Sequence, residues 1–162
     1  MTTNITKDGM TKILGISCYY HDSAVALLVD GKILGAVQEE RFTRIKHDSV
    51  FPTNSINYLI KEHDIKLDEI DYFVFYEKPF LKFERILETF VSEAPSGFLL
   101  FCKFMPLWIK EKLFQKKLII NSLSDLNKAQ IKKNKIFFSE HHFSHAASAF
   151  YASNFSESAI IT

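Results

Sequence analysis

The segment Ser139–Ala149 has the highest concentration of potential metal ligands and acid–base groups in the sequence, because it contains three of the six histidines. His141 and His145 are four residues apart, so on a helix that begins at or just before His141 their imidazoles stack on one face, one turn apart. Two imidazoles at this spacing can ligate one divalent metal ion. His142 points about a quarter-turn away, which makes it the weaker candidate for a co-ligand.

The same spacing is also found where histidines cap a helix or face solvent, and the pair alone does not decide between these interpretations. Two ligands do not complete a metal site, because metal sites use a third and often a fourth ligand. His21, His47, His63 and several carboxylates are available. No spacing selects among them.

The charged segment Glu39–Asp48 is a second candidate. A run of mixed charges is most often a solvated loop, and the composition favours that interpretation. Alternatively, Arg41, Arg44 and Lys46 can clamp a phosphate or a carboxylate while the neighbouring acids orient them. The sequence alone leaves both interpretations open.

Composition indicates one globular domain with a real core, since 47% of the 162 residues are hydrophobic and 24% are charged. A net charge of +1 provides no general attraction to nucleic acid or to a membrane surface. Cys18 and Cys102 lack CxxC spacing, which favours a reduced, cytoplasmic protein without disulfides. No signal peptide and no apolar run long enough to span a bilayer are present in the sequence.

Hydrophobic patterning predicts the elements that must position these residues. Strands are predicted at Lys12–Cys18, Ser23–Val29 and Lys32–Gln38, the last two joined by a hairpin turn at Asp30-Gly31. The polar and aromatic run Tyr19–Asp22 predicts a turn between the first two strands. These three strands form an antiparallel meander.

A helix and a fourth strand are predicted next. Pro52 suits the first turn of a helix, and Ile56, Leu59 and Ile60 are spaced as its apolar stripe. Asp68–Tyr76 alternates in the manner of a strand, which we expect to be parallel to the first because a helix connects them. The first half is therefore predicted to be β-β-β-α-β, an α/β layer sandwich rather than a doubly wound fold.

Residues 79–134 are predicted to form a helical insert. Helical patterns cover Leu81–Val91 and Phe98–Gln115, separated by Pro95-Ser96-Gly97, with a kink at Pro106. Between Lys103 and Lys135 there are nine lysines and two acids. A solvated helical face explains this excess better than a surface for polyanions.

The last part of the chain returns to strand. Ile136–Phe138 predicts a strand, the histidine helix follows, and Glu157–Thr162 predicts a final strand. Because a domain rarely ends on a bare apolar strand, we expect the sequence to be the N-terminal piece of a longer protein.

Two groups of motifs together resemble a known family. The first group is Ile13-Leu14-Gly15-Ile16-Ser17, His21-Asp22-Ser23-Ala24, Asp30-Gly31-Lys32-Ile33, the whole Glu39–Asp48 segment and Phe51-Pro52; the second is Ser139–Tyr151. In this order and at this distance they resemble the carbamoyltransferase family of nodulation-factor and antibiotic O-carbamoyltransferases. The resemblance runs from Lys12 to Thr162.

The resemblance implies an actin-like ATPase (ribonuclease H-like) fold with a β-β-β-α-β core, of which this chain is the first half of a duplicated domain. Residues 1–11 are then a polar N-terminal tail. Residues 12–162 are an N-terminal carbamoyltransferase domain, with the helical insert at about 79–134, truncated at its C-terminal end.

The resemblance also implies a reaction. Members of the family make carbamoyl-adenylate from carbamoyl phosphate and ATP in a separate C-terminal domain, and the N-terminal domain transfers the carbamoyl group to an acceptor hydroxyl. By resemblance, His141 and His145 bind a divalent metal ion, iron(II) or zinc, and His21 and Lys46 are catalytic. The expected partners are carbamoyl phosphate, ATP, a small-molecule or sugar hydroxyl and the C-terminal part of the same enzyme, with no nucleic acid and no membrane.

Three alternatives stay open at this point. The chain can be a truncated, non-catalytic remnant or assembly module of the same fold, or its histidines can have a metal-free structural role. A tRNA-modifying relative is a further alternative, against which the Glu-Glu-Arg-Phe sequence at 39–42 argues. Two further features are expected downstream of Thr162. One is an aspartate that serves as the third metal ligand, and the other is an Asp-Gly loop that binds phosphate. We therefore expect half of an active site, inactive alone.

Overall fold

The computed structural model describes residues 9–20, 22–78, 87–92, 98–99, 101–103, 105–106, 114–127 and 131–161. Its strands are β1 (Lys12–Ser17), β2 (Ala24–Val29), β3 (Lys32–Gln38), β4 (Tyr72–Phe75) and β5 (Ile136–Phe138). Its labelled helices are α1 (Glu40–Thr43), α2 (Thr53–Glu62), α3 (Gln115–Asn127) and α4 (His141–Phe150), with short 3-10 helices at Leu67–Glu69 and Lys133–Lys135. The described residues 87–92, 98–99, 101–103 and 105–106 are also helical. The five strands form one sheet in the order β3-β2-β1-β4-β5.

The predicted meander is confirmed, and its hairpin has the expected geometry. β1, β2 and β3 pair antiparallel, and Val29 lies opposite Lys32 across the turn. Asp30 and Gly31 have φ of 48° and 76°. A two-residue turn of this kind needs positive φ at both central positions, which Asp-Gly adopts at little cost.

All strands except β2 run in the same direction. β4 is parallel to β1, as predicted, and β5 is parallel to β4. β3 also runs with β1, because two antiparallel pairings separate them. The carboxyl ends of β1, β3, β4 and β5 therefore meet at one edge of the sheet, which we call the carboxyl edge.

The core lies between one face of the sheet and helices α2 and α3. The predicted apolar stripe of α2 is buried, together with Ser55. The core side chains of the strands and of α3 include Leu14, Ile16, Val25, Leu27, Phe73, Phe75, Ile119 and Leu123. Helix α2 approaches β3 closely: a Cβ atom built on Gly35 would lie 2.7 Å from Cδ2 of Leu59.

Two expectations for the helical and C-terminal regions need correction. The helical insert is confirmed where it is described, since residues 87–92, 98–99, 101–103 and 105–106 are helical; the departure is that a helix, α3, continues beyond Gln115, where the predicted second helix ends, and the rest of the predicted insert up to residue 113 lies outside the described residues. The predicted strand Glu157–Thr162 is wrong over residues 157–161, which belong to no strand and are exposed; Thr162 is outside the described residues. Apolar composition alone was insufficient, because a strand also needs a neighbour to satisfy its backbone groups.

Cys18 is buried and Cys102 is exposed, and neither is part of a disulfide in the described chain. In the described part of the chain, no helix combines the length and the apolar character needed to cross a bilayer.

A buried carboxylate joins the end of β3 to the start of α2. Glu39 is only 1% exposed. Its Oε1 accepts hydrogen bonds from N and Nδ2 of Asn54 at 3.0 and 2.8 Å, and its Oε2 accepts from N and Oγ of Ser55 at 2.8 and 2.6 Å. The carboxylate thus satisfies backbone N–H groups that have no partner within the helix, at the end where the helix dipole favours negative charge.

The segment Glu39–Asp48 is therefore not simply a solvated loop. Its first and last residues, Glu39 and Asp48, are buried, whereas Arg41, Arg44 and Lys46 are exposed. The charged run is thus held at both ends by the fold.

Glu39→Gln should destabilise the protein by about 1–3 kcal/mol, because an amide offers one acceptor oxygen and places an NH₂ group against donors. Urea unfolding followed by circular dichroism measures this change. Glu62→Gln, at the exposed end of α2, is the control and should stay within about 0.5 kcal/mol of the parent. Equal stability of the two variants would contradict the role assigned to Glu39.

Candidate functional site

The carboxyl edge gathers most of the residues that the sequence singled out. The β1–β2 loop, the start of the charged segment after β3, and the N-terminus of α4 after β5 all leave the sheet at this edge. These segments meet here because β1, β3 and β5 run in the same direction and so end at the same edge of the sheet. The carboxyl ends of strands in α/β sheets are a common place for binding sites.

Helix α4 is fastened to the end of β4 at three points. The backbone N–H of Ser139 donates to the carbonyl of Phe75 at 2.8 Å, and the hydroxyl of Ser144 donates to the carbonyl of Tyr76 at 2.9 Å. Nζ of Lys78 lies 2.9 Å from Oε1 of Glu140, the residue that precedes the helix. These contacts fix where the first turn of α4 lies relative to the sheet.

The first two turns of α4 bring His141 and His145 together, as the spacing predicts. Their Nε2 atoms are 3.1 Å apart, and their ring centroids are 4.6 Å apart at an interplanar angle of 84°. Both side chains are exposed. The ring of His142 lies farther from that of His141, at 5.7 Å. The two converging nitrogens point at one place, and His142 does not join them.

This arrangement fits a shared divalent metal ion. Metal–imidazole bonds are about 2.0–2.1 Å long, so two nitrogens 3.1 Å apart can both reach one ion. Without an ion, the same contact is a hydrogen bond in which one ring donates and the other accepts. Among the described residues, no group of three or more His, Cys, Asp and Glu side chains is placed to hold a metal. A metal ion held by this pair would need further ligands.

A cavity of about 690 Å³ lies beside α4, on the sheet face opposite α2. Its floor is smooth because Gly15, Ala26 and Ala36 lie side by side on three adjacent strands. Polar groups at its margin come from Ser17, Gln38, Arg41, Tyr76, Ser139 and Ser144. The cavity can therefore hold a ligand with an apolar body and a few polar contacts.

Tyr76 is a cavity residue that sequence reasoning missed. Burial raises the pKa of its phenol to about 12, and the negative charge of Glu77 adds to the shift. The ring lies 5.9 Å from that of His141. The phenol of Tyr76 is therefore protonated at neutral pH and can act as a hydrogen-bond donor. Its place directly after a strand end was the available signal.

The three cationic residues of the charged segment differ in whether they line the cavity. Arg41 lines the cavity, whereas Arg44 and Lys46 are exposed and are not among its lining residues. Lys46, a predicted catalytic residue, lies in a turn after α1. His21 is the other predicted catalytic residue. It lies outside the described residues, so its position stays a prediction.

The chain is similar in sequence to one protein family and to several known proteins. Residues 12–162 match the family described as the carbamoyltransferase N-terminus. An uncharacterized protein of Synechocystis sp., sll1178, is 54% identical over 94% of the chain, and nodulation protein NolNO of Sinorhizobium fredii is 31% identical over 89%. The uncharacterized protein MJ1051 of Methanocaldococcus jannaschii is 40% identical over 55% of the chain.

The chain is much shorter than the relatives that it matches. It spans 25% of the length of the Synechocystis protein, 19% of NolNO and 17% of MJ1051. The match to the family covers the meander, the charged segment and the histidine helix together. This chain belongs to the carbamoyltransferase N-terminus family.

Proposed function

We propose that this chain is the transfer part of an ATP-dependent carbamoyltransferase. It moves a carbamoyl group from carbamoyl-adenylate, made from carbamoyl phosphate and ATP, to an acceptor hydroxyl. The observation that carries the proposal is the pair of Nε2 atoms of His141 and His145, 3.1 Å apart at the carboxyl edge of a chain of this family. The mixed sheet and the β-β-β-α-β order agree with an actin-like ATPase core, which we propose as the wider fold.

In this proposal, His141 and His145 hold a divalent metal ion, iron(II) or zinc. When bound, the ion supplies Lewis-acid polarisation of the carbamoyl oxygen. The converging imidazoles and the anchoring of α4 by Ser139 and Ser144 support the assignment, because a metal site needs ligands held in place before binding.

The transfer is a substitution at the carbamoyl carbon. The acceptor oxygen forms a bond to this carbon, the bond between the carbon and the bridging phosphate oxygen breaks, and AMP leaves with the bonding electron pair on that oxygen. His21 takes the hydroxyl proton, and the ammonium of Lys46 stabilises negative charge on the leaving phosphate. Lys46 is exposed in the turn after α1 and is not among the residues that line the cavity, so its part in transfer rests on the family resemblance.

The cavity beside α4 is the proposed place for the acceptor. Its floor of small side chains leaves room for the body of the acceptor, and Tyr76 and Arg41 are lining residues whose side chains carry hydrogen-bond donors. Both small molecules and sugars carry suitable hydroxyls. We propose an intramolecular partner as well: the rest of the same enzyme, which supplies the adenylate-forming domain and the remaining metal ligand.

The metal assignment predicts a specific loss of binding. The chain should bind iron(II), and zinc, under anaerobic conditions, and His145→Ala should weaken binding about tenfold or more because one of two ligands is removed. Isothermal titration calorimetry and metal analysis measure this change. His142→Ala is the matched control and should bind as the parent does. Equal binding by all three proteins would contradict the site.

The transfer assignment is tested in a chimera in which this chain replaces the matching quarter of the Synechocystis relative, to which it is 54% identical. With ATP and [¹⁴C]carbamoyl phosphate, the chimera should produce acid-stable carbamate on a panel of alcohols. Lys46→Met should lower the rate about 100-fold or more, since a charge-stabilising group is removed. Liquid chromatography with radioactivity detection gives the rate.

Lys61→Met, an exposed lysine of α2, is the control and should leave the rate unchanged. A chimera that consumes carbamoyl phosphate but transfers nothing would contradict the transfer role and favour a non-catalytic module.

A further inference from the structure

Two loops of the carboxyl edge are bonded to each other along their length. In the β1–β2 loop, the N–H of Tyr19 donates to the carbonyl of Ser49 at 2.8 Å, and the N–H of Ser23 donates to the carbonyl of Asp48 at 2.7 Å. The hydroxyl of Ser23 donates to the carbonyl of Val50 at 2.5 Å. Both ends of the β1–β2 loop are thus held by backbone groups of the α1–α2 loop.

The tip of the β1–β2 loop is held by a side-chain contact. Nδ1 of His47 lies 2.9 Å from Oδ1 of Asp22. The backbone N–H of His47 also donates to Oε2 of Glu40 at 3.3 Å, which fixes the residue from its other side. We call the contact between Asp22 and His47 the loop clamp.

Backbone strain is concentrated in the same two loops. Of the six non-glycine residues with positive φ in the described chain, four lie here: Tyr19, Asp22, Arg44 and His47. The left-handed conformation is unfavourable for most residues and accumulates at functional sites, where surrounding contacts maintain it. Both members of the loop clamp, with φ of 47° and 57°, are in this conformation.

The loop clamp contributes little to global stability, because both side chains are solvent-exposed and exposed ion pairs are weak. Its position is more informative. Asp22 directly follows His21 in the sequence, and His47 directly follows Lys46. The clamp therefore joins the residues next to both groups that the proposed function makes catalytic.

We propose that Asp22 and His47 are positioning residues for carbamoyl transfer. Their hydrogen bond holds the tip of the β1–β2 loop against the α1–α2 loop and sets the separation of the two loops. Positioning of this kind matters because a small misplacement of catalytic groups lowers rates strongly. The role in transfer rests on the proposed function, whereas the mechanical role of the clamp does not.

Hydrogen exchange tests the mechanical role in the chain itself. His47→Ala should speed amide exchange in residues 20–23 about two- to fivefold, the range that an exposed pair supports. His47→Asn should restore slow exchange, because its Nδ2 can occupy the place of the imidazole Nδ1 and donate to Asp22, and because Asn tolerates positive φ. Asp64→Ala, at another position with φ of 50°, controls for alanine in this conformation and should leave residues 20–23 unchanged.

The chimera tests the role in transfer. His47→Ala should lower kcat about tenfold or more with little change in KM for carbamoyl phosphate, and His47→Asn should recover most of the rate. If His47→Asn is as slow as His47→Ala, the imidazole itself is needed and the positioning role is overturned. If exchange in residues 20–23 is the same in His47→Ala and the parent, the loop clamp is overturned whatever the activity. A parent chimera without any transfer would overturn the proposed function, and exchange alone would then decide the clamp.

Discussion

The buried carboxylate of Glu39 is the constraint on which the carboxyl edge depends. Four donors from Asn54 and Ser55 surround it, so the end of β3 and the start of α2 cannot separate without leaving a charge and several N–H groups unpaired in the interior. The charged segment spans the gap between these two points. Its exposed cations, Arg41, Arg44 and Lys46, are therefore presented by a loop whose ends are fixed.

Strand direction brings the other functional elements to the same edge. Because β4 and β5 run parallel to β1, the chain leaves β5 next to the β4 carboxyl end, and α4 starts there. Ser139 then bonds to the last residue of β4 and Ser144 to the residue that follows it, and the histidine pair lies on one face of the first two turns of α4. Small residues on the adjacent strands leave open space beside this helix. A rigid sheet thus supports a histidine pair, a cavity and a charged loop.

Much of this architecture could be predicted from local patterns. Asp30-Gly31 determines its hairpin because both residues accept positive φ, and Ile56, Leu59 and Ile60 identify the buried side of α2. The four-residue spacing of the histidines was enough to predict their meeting. The burial of Glu39 was not predictable, since a carboxylate in a charged run gives no sign that a helix N-terminus will cover it. Tyr76 was missed for a similar reason: its cavity exists only once β4 is placed beside β1 and α4.

In the proposed metal site, His141 and His145 together hold one ion at the carboxyl edge. The most direct measurement is an anomalous-difference map from crystals of the zinc-loaded chain, collected on both sides of the zinc absorption edge. We expect one strong peak at about 2.0–2.1 Å from Nε2 of both histidines, which disappears in His145→Ala. A zinc peak bound elsewhere, or bound to one histidine with the other ring turned away, would contradict it.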